Sequence, residues 1–68
     1  MKNTIKVERA KHDLTQAALA DKVNVSRQTI NSIEIGKFVP SSILALKIAA
    51  IFDTNAEAIF ILEDKDWK

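Results

Sequence analysis

The stretch QAALADKVNVSRQTINSIEIG, from Gln16 to Gly36, decides the fold of this chain. It contains two short runs with apolar residues at helical spacing, Leu19–Val23 and Ile30–Ile33. About three residues separate the two helices that these runs indicate, and Asn24 is the only turn-prone residue between them. A turn this short makes the two helices cross at a steep angle, so the stretch predicts a helix-turn-helix.

The second helix of this pair has clear start and stop signals. Ser26 precedes it as an N-cap, and Gly36, the single glycine of the chain, follows it as the expected C-cap. Ile30 and Ile33 give the helix a narrow apolar side that we expect to face the core. The outward face then carries four polar residues, which are Arg27, Gln28, Asn31 and Ser32.

These four side chains have hydrogen-bonding ends that match the edges of DNA bases. An α-helix fits the major groove, where Arg pairs with guanine O6 and N7, and Asn or Gln with adenine N6 and N7. Ser can donate to or accept from several bases. A helix that only needed to be soluble would more often carry Glu and Lys on that face. The pattern therefore predicts a helix that reads bases in double-stranded DNA.

Similar cap and turn residues between apolar runs predict an all-α fold of five short helices. We expect the first helix near Asn3–Lys11, with Ile5, Val7 and Ala10 as its apolar residues. The second is expected over Gln16–Val23 after the N-cap Thr15, and the third runs from Ser26 to about Ile35. The remaining two are expected over Ser42–Phe52 and Ala56–Ile61.

We assign residues 1–62 to one domain and residues 63–68 to an acidic polar tail. His12 is expected to be a half-buried packing residue.

Composition excludes several classes of protein. With 68 residues, 47% hydrophobic and 28% charged, the chain has a globular, helix-rich composition. It has no Cys, which excludes disulfides, thiolate zinc sites and a Cys nucleophile. No apolar run reaches the roughly 18 residues of a membrane span, so we expect a soluble cytoplasmic protein. No Gly-rich phosphate loop or metalloprotease motif is present, and we predict neither an enzyme, nor a cofactor, nor a metal site.

The charge of the chain is distributed unevenly along its length. Residues 1–51 carry eight Lys or Arg and four Asp or Glu, a net charge of +4, whereas residues 52–68 have a net charge of −3. The basic surplus lies in the same part of the chain as the polar helix. This asymmetry indicates a basic binding face and an acidic end that is kept away from it.

The stretch LTQAALADKVNVSRQTINSIEIGKFVPS, followed by LALKIA, resembles the Cro/repressor-type helix-turn-helix regulators of bacteria, archaea and phages. The resemblance covers nearly the whole chain, from Ile5 to Phe60. It implies a compact five-helix DNA-binding domain that acts as a homodimer on operator-like sites, most often as a repressor.

The resemblance also implies roles for particular residues. Arg9 and Glu34 match an Arg–Glu pair that ties the first helix to the third in such domains. Gln16 and Lys37 match residues that contact phosphates. The chain departs from the family at Asp13, Asn24 and Asp53, where many members have Gly, and at Ile35, where the usual residue is polar or cationic.

The apolar run near the end of the chain predicts a subunit interface. Four successive residues of a helix point in four directions. At least two of the apolar side chains from Ile59 to Leu62 therefore cannot be buried in their own domain and need another surface to pack against. We therefore expect a homodimer interface that includes Ile59, Phe60 and Leu62. In the alternative, the chain leaves the helix near Phe60 and the tail folds back as a short strand against the N-terminus.

A protein-interaction module, such as an antitoxin-like or adaptor protein, is the competing function. The apolar run AIFIL and the apolar Ile35 support it. An adaptor, however, has no need for Arg27, Gln28 and Asn31 together on one face. RNA binding is disfavoured because the chain has few aromatic residues to stack on unpaired bases.

Overall fold

The computed structural model describes residues 1–68, most of which form five helices. The helices are α1 (Ile5–Lys11), α2 (Gln16–Lys22), α3 (Arg27–Glu34), α4 (Ser42–Ile51) and α5 (Ala56–Ile59). Strands β1 (Lys2–Asn3) and β2 (Phe60–Ile61) form an antiparallel pair, and a 3-10 helix, Asp64–Trp67, follows. The predicted five-helix fold is confirmed, with this small sheet added. No helix is long and apolar enough to cross a membrane.

Side-chain caps fix the starts of the central helices. Thr15 accepts a hydrogen bond from the Ala18 N–H at 3.0 Å, which begins α2 as the sequence predicts. Ser26 accepts one from the Thr29 N–H at 3.1 Å and begins α3 in the same way. Each cap satisfies a backbone donor that the first turn of a helix leaves unpaired.

The turns that follow α1, α2 and α4 use the left-handed backbone conformation. Asp13, Asn24 and Asp53 have φ angles of 55°, 61° and 55°. Gly36, with φ 82°, ends α3, as the lone glycine predicts. A left-handed conformation crowds the Cβ of any residue other than glycine, and Asn and Asp tolerate it better than most.

Replacing Asp53 with glycine is therefore expected to stabilise the fold. The side chain of Asp53 is exposed, and glycine would relieve the crowded Cβ, so Asp53→Gly should raise the free energy of unfolding by up to about 1 kcal/mol. Urea denaturation measures the change. Asp53→Ala is the matched control and should lower the stability, because alanine keeps the Cβ and tolerates positive φ poorly. A loss of stability in Asp53→Gly would contradict this account of the turn.

The core collects side chains from all five helices. Its eleven buried residues are Ile5, Leu19, Ala20, Val23, Ile30, Ile33, Leu44, Ile48, Ala49, Phe52 and Ile59. Val7, one of the apolar residues of α1, is 54% exposed. The expectation for His12 was wrong. His12 is exposed rather than half-buried, although its ring lies 5.2 Å from that of Phe52.

Helix α5 ends earlier than the sequence predicts. The helix stops at Ile59 instead of Ile61, and the chain continues as β2, whose Ile61 pairs with Lys2 of β1. The tail thus folds back against the N-terminus, as the alternative expected, and Asn3 forms part of β1 instead of beginning α1. Because Ile59 is completely buried in the core of its own chain, its side chain offers no surface to a second copy. We therefore remove Ile59 from the expected subunit interface.

The last residues are held by the N-terminus. The Met1 ammonium lies 3.1 Å from carboxylate oxygens of both Glu63 and Asp66. Hydrogen bonds to Glu63 and Asp66 raise the pKa of this ammonium above its ordinary value of 8.0. At the other end of β1, the Asn3 side chain donates to the Ile33 carbonyl oxygen at 2.9 Å, which joins the sheet to the end of α3.

Candidate nucleic-acid interface

Helices α2 and α3 pack against each other across a short turn at Asn24. Val25 follows in the turn and packs against the core, while Ala20 is buried on α2. Ile30 and Ile33 fix α3 to the rest of the domain because both side chains are fully buried or nearly so. The opposite side of α3 is therefore free to face a ligand.

The outward face of α3 carries the four predicted base-reading residues. Arg27 and Gln28 in the first turn are exposed, whereas Asn31 and Ser32 one turn later are half-buried. The first turn is thus the more exposed part of this face. A helix docked through its N-terminal end presents such residues to base edges first.

An open groove of about 390 Å³ lies beside this face. Gln28 and Ser32 line it together with Lys37, which follows the C-terminal end of α3. The structure thus brings two predicted base-reading residues next to a predicted phosphate-contacting lysine. The full lining is Ser26, Gln28, Thr29, Ser32, Lys37 and Phe38.

Gln16, the other residue expected to contact phosphate, is already bonded inside the domain. Its Nε2 donates to Asn31 Oδ1 at 3.1 Å and to Glu34 Oε1 at 3.1 Å. Its Oε1 accepts from Arg27 Nη1 at 3.2 Å. The start of α2 is thereby linked to three residues along one stripe of α3.

Arg9 and Glu34 lie in direct contact and join α1 to α3. Arg9 Nε donates to Glu34 Oε2 at 2.7 Å, and Arg9 Nη2 donates to Glu34 Oε1 at 3.2 Å. The two side chains are 16% and 7% exposed. Arg9 Nη1 also donates to the Leu14 carbonyl oxygen at 3.0 Å, so the guanidinium ties α1 to the turn before α2 as well.

A second, apolar groove of about 280 Å³ is lined by no residue of α3. Phe60 and Leu62 line it from the segment after α5, and Val39 and Ala45 line it from before and within α4. Leu62 is 55% exposed and Val39 63% exposed. Exposed apolar side chains that gather around one groove make it the candidate surface for a partner in this domain.

Residues 5–59 match the helix-turn-helix family, so the chain belongs to that family. A similar protein is an uncharacterized HTH-type transcriptional regulator of Methanocaldococcus jannaschii, 56% identical over 97% of this chain and 100% of its own length. An uncharacterized regulator of the same type from Archaeoglobus fulgidus is 46% identical over 97% of this chain and 94% of its own. Another, from Bacillus subtilis, is 44% identical over 97% of this chain and 100% of its own.

The family and the geometry define the class of protein. The chain is a helix-turn-helix transcriptional regulator that binds DNA, and it is not an enzyme. No group of three or more His, Cys, Asp or Glu side chains is placed to hold a metal ion. The predicted family, fold and general function are thus confirmed.

Proposed function

We propose that the chain represses transcription by binding a specific double-stranded DNA site as a homodimer, with α3 of each copy in the major groove. The observation that carries the proposal is the outward face of α3, where Arg27 and Gln28 are exposed in the first turn. Both side chains can pair bidentately with purines in the major groove. A dimer bound across a promoter would exclude the transcription machinery from it.

Phosphate contacts would position each domain on the duplex. Lys37 lies beside the reading face, and the N-terminal end of α3 offers backbone N–H groups and the positive end of a helix dipole. These contacts are independent of sequence, so they supply affinity but not specificity. The surplus of basic residues over residues 1–51 would strengthen them.

Substitutions at Arg27 and Lys37 are expected to separate these two roles. Arg27→Ala should cost about 1–3 kcal/mol on the best site and relax the preference at one base position. Gln28→Ala should act in the same way. Lys37→Ala should weaken binding to all sequences alike and reduce the salt slope by about one. Titrations of specific and random duplexes at several salt concentrations measure both effects. Equal losses on specific and random DNA for Arg27→Ala and Gln28→Ala would remove both residues from base reading.

A homodimer would place two reading helices about 34 Å apart, one turn of DNA, on successive major-groove faces. The apolar groove that Phe60 and Leu62 line supports this arrangement because it gathers exposed apolar side chains and is lined by no residue of α3. Leu46, 62% exposed on α4, would extend the same surface. A single domain of this size is also marginally stable, and a subunit interface would add apolar burial.

A protein-interaction module is the second candidate function. The apolar groove supports it equally well, and so does Ile35, which is 58% exposed at the C-terminal end of α3. The two candidates differ in what happens on DNA. An antitoxin-like or adaptor protein that acts only through a partner would bind specific and random duplexes with the same affinity.

A further inference from the structure

Asn3 lies where the small sheet, the first helix and the third helix meet. Its side-chain Nδ2 donates to the Ile33 carbonyl oxygen at 2.9 Å, near the C-terminal end of α3. Its Oδ1 accepts from the Ile5 N–H at 3.2 Å, at the start of α1. One half-buried side chain therefore bridges the first turn of α1 and the last turn of α3.

These two partners fix the orientation of the Asn3 amide. A backbone N–H only donates, so the Asn3 atom that faces Ile5 must be the side-chain oxygen. A carbonyl oxygen only accepts, so the atom that faces Ile33 must be the amide nitrogen. Aspartate has nearly the same shape but only acceptors, so it could keep the first of these bonds and not the second.

The backbone of Asn3 is joined to the segment that borders the apolar groove. In the strand pair, Asn3 lies opposite Phe60, and Phe60 lines that groove. The next residue, Thr4, donates its backbone N–H to the Ile59 carbonyl oxygen at 3.0 Å, which continues the connection to the end of α5. The bond from Asn3 to Ile33 is the one side-chain hydrogen bond between the strand pair and α3. It thus links the proposed subunit surface to the proposed reading helix.

We propose that Asn3 is a positioning residue that sets which spacing of two half-sites the protein accepts, because it fixes the angle between α3 and the subunit interface. The inference rests on the proposed function, in which a homodimer reads DNA with α3. A change in that angle occurs in both copies of a symmetric dimer, so it alters the separation and the rotation between the two reading helices twice. Asn3 acts through the placement of α3 and makes no base contact of its own.

The spacing between half-sites is a sharp measure of that placement. One base pair added between them moves the half-sites apart by about 3.4 Å and rotates one relative to the other by about 35°. A dimer with a fixed angle cannot follow both changes without losing contacts, so the wild-type protein should bind one spacing best. A dimer in which α3 can tilt should bind the neighbouring spacings more evenly.

Asn3→Asp removes the bond to α3 and keeps the bond to α1. Aspartate still accepts from the Ile5 N–H, but it cannot donate to Ile33, and its charge would face the negative end of the α3 dipole. Affinities are measured for duplexes that carry the same two selected half-sites, with the central spacer lengthened or shortened by one base pair. We expect the preference for the best spacing to fall by about 2- to 12-fold, the factor that corresponds to one net hydrogen bond. Base preference inside each half-site should stay unchanged.

Thr4→Val is the matched control for the neighbouring position. Thr4 Oγ1 donates to the Ala58 carbonyl oxygen at 3.5 Å, a bond that does not involve α3, and valine keeps the branched shape of the side chain. This variant should keep the wild-type spacing preference. Asn3→Ala loses the bond to Ile33 without adding a charge, so it should relax the preference as Asn3→Asp does and serves if the aspartate prevents folding. Circular dichroism checks that each variant folds.

The results separate failure of this inference from failure of DNA reading. If the wild-type protein reads its half-sites but binds all spacings equally, the positioning role is overturned while the reading function stands. The same holds if the folded Asn3 variants keep the wild-type spacing preference. An equal relaxation in Thr4→Val would mean that the N-terminal segment is loosened in general, and it would also overturn the role of Asn3. A wild-type protein that is a monomer or has no base preference would overturn both proposals.

Discussion

Arg9→Ala is expected to lower the free energy of unfolding by about 3–5 kcal/mol, because it leaves the Glu34 carboxylate buried without its cationic partner. Glu34 is only 7% exposed, and the Gln16 amide would be its one remaining hydrogen-bond partner outside the helix backbone. Glu34→Ala should cost less. The guanidinium that it leaves behind is 16% exposed and keeps its hydrogen bond to the Leu14 carbonyl oxygen.

A double-mutant cycle over Arg9 and Glu34 isolates the energy of the pair itself. Urea denaturation at one protein concentration measures the four stabilities, since association would make stability depend on concentration. The Lys11–Glu8 pair on α1 is the control. Its Nζ and Oε2 atoms are 3.3 Å apart and the Lys11 side chain is 65% exposed, so its coupling should be only about 0.2–1 kcal/mol. A coupling near zero between Arg9 and Glu34 would mean that the ion pair does not hold α1 to α3.

Leu62→Asp is expected to produce a folded monomer that binds its specific DNA site about 10²- to 10⁴-fold more weakly. Leu62 is 55% exposed in the single chain, so a polar residue there should leave the core intact. A charge in the apolar groove would instead have to be desolvated whenever two copies associate. The loss in affinity follows because the second half-site would no longer be bound at a high effective concentration.

Val7→Asp is the matched control for this substitution. Val7 is 54% exposed on α1 and does not line the apolar groove, so the same change there should leave the assembly and its affinity for DNA unaltered. Sedimentation at micromolar concentration should give the wild-type protein about twice the chain mass of 7.6 kDa and Leu62→Asp the chain mass itself. A wild-type mass of one chain, with equal DNA affinity in Leu62→Asp, would contradict the homodimer.

Local signals in the sequence predicted much of this fold. The caps Thr15 and Ser26 and the left-handed residue Asn24 lie where expected, because each depends on the backbone of its nearest neighbours. The helix-turn-helix follows from these signals and from the apolar spacing between them. The buried side of α3, with Ile30 and Ile33, was predicted for the same reason.

The errors arose where distant parts of the chain meet. The end of α5 depends on the pairing of Ile61 with Lys2, and no residue near Ile61 indicates that partner. Ile59 was expected at a subunit interface because a continuous helix would have exposed part of the apolar run. Once the chain turns into a strand after Ile59, that residue enters the core and Leu62 stays outside.

The hydrogen bonds of the Gln16 side chain to Arg27, Asn31 and Glu34 were the main feature of the site that sequence reasoning missed. The stripe of Arg27, Asn31 and Glu34 at helical spacing was visible, but its partner lies on another helix. Which of the three side chains Gln16 would meet depends on how α2 crosses α3. The stripe has an acceptor, Glu34, at one end and a donor, Arg27, at the other, and this is the signal that could have indicated an amide between them.

Selection of binding sites from a library of random duplexes tests the central claim most directly, that α3 reads DNA sequence. The wild-type protein should enrich an inverted repeat whose half-sites are about one helical turn apart. Arg27→Ala should enrich the same repeat with the preference lost at one position in each half-site. A wild-type protein that enriches no sequence over the starting library would contradict the account.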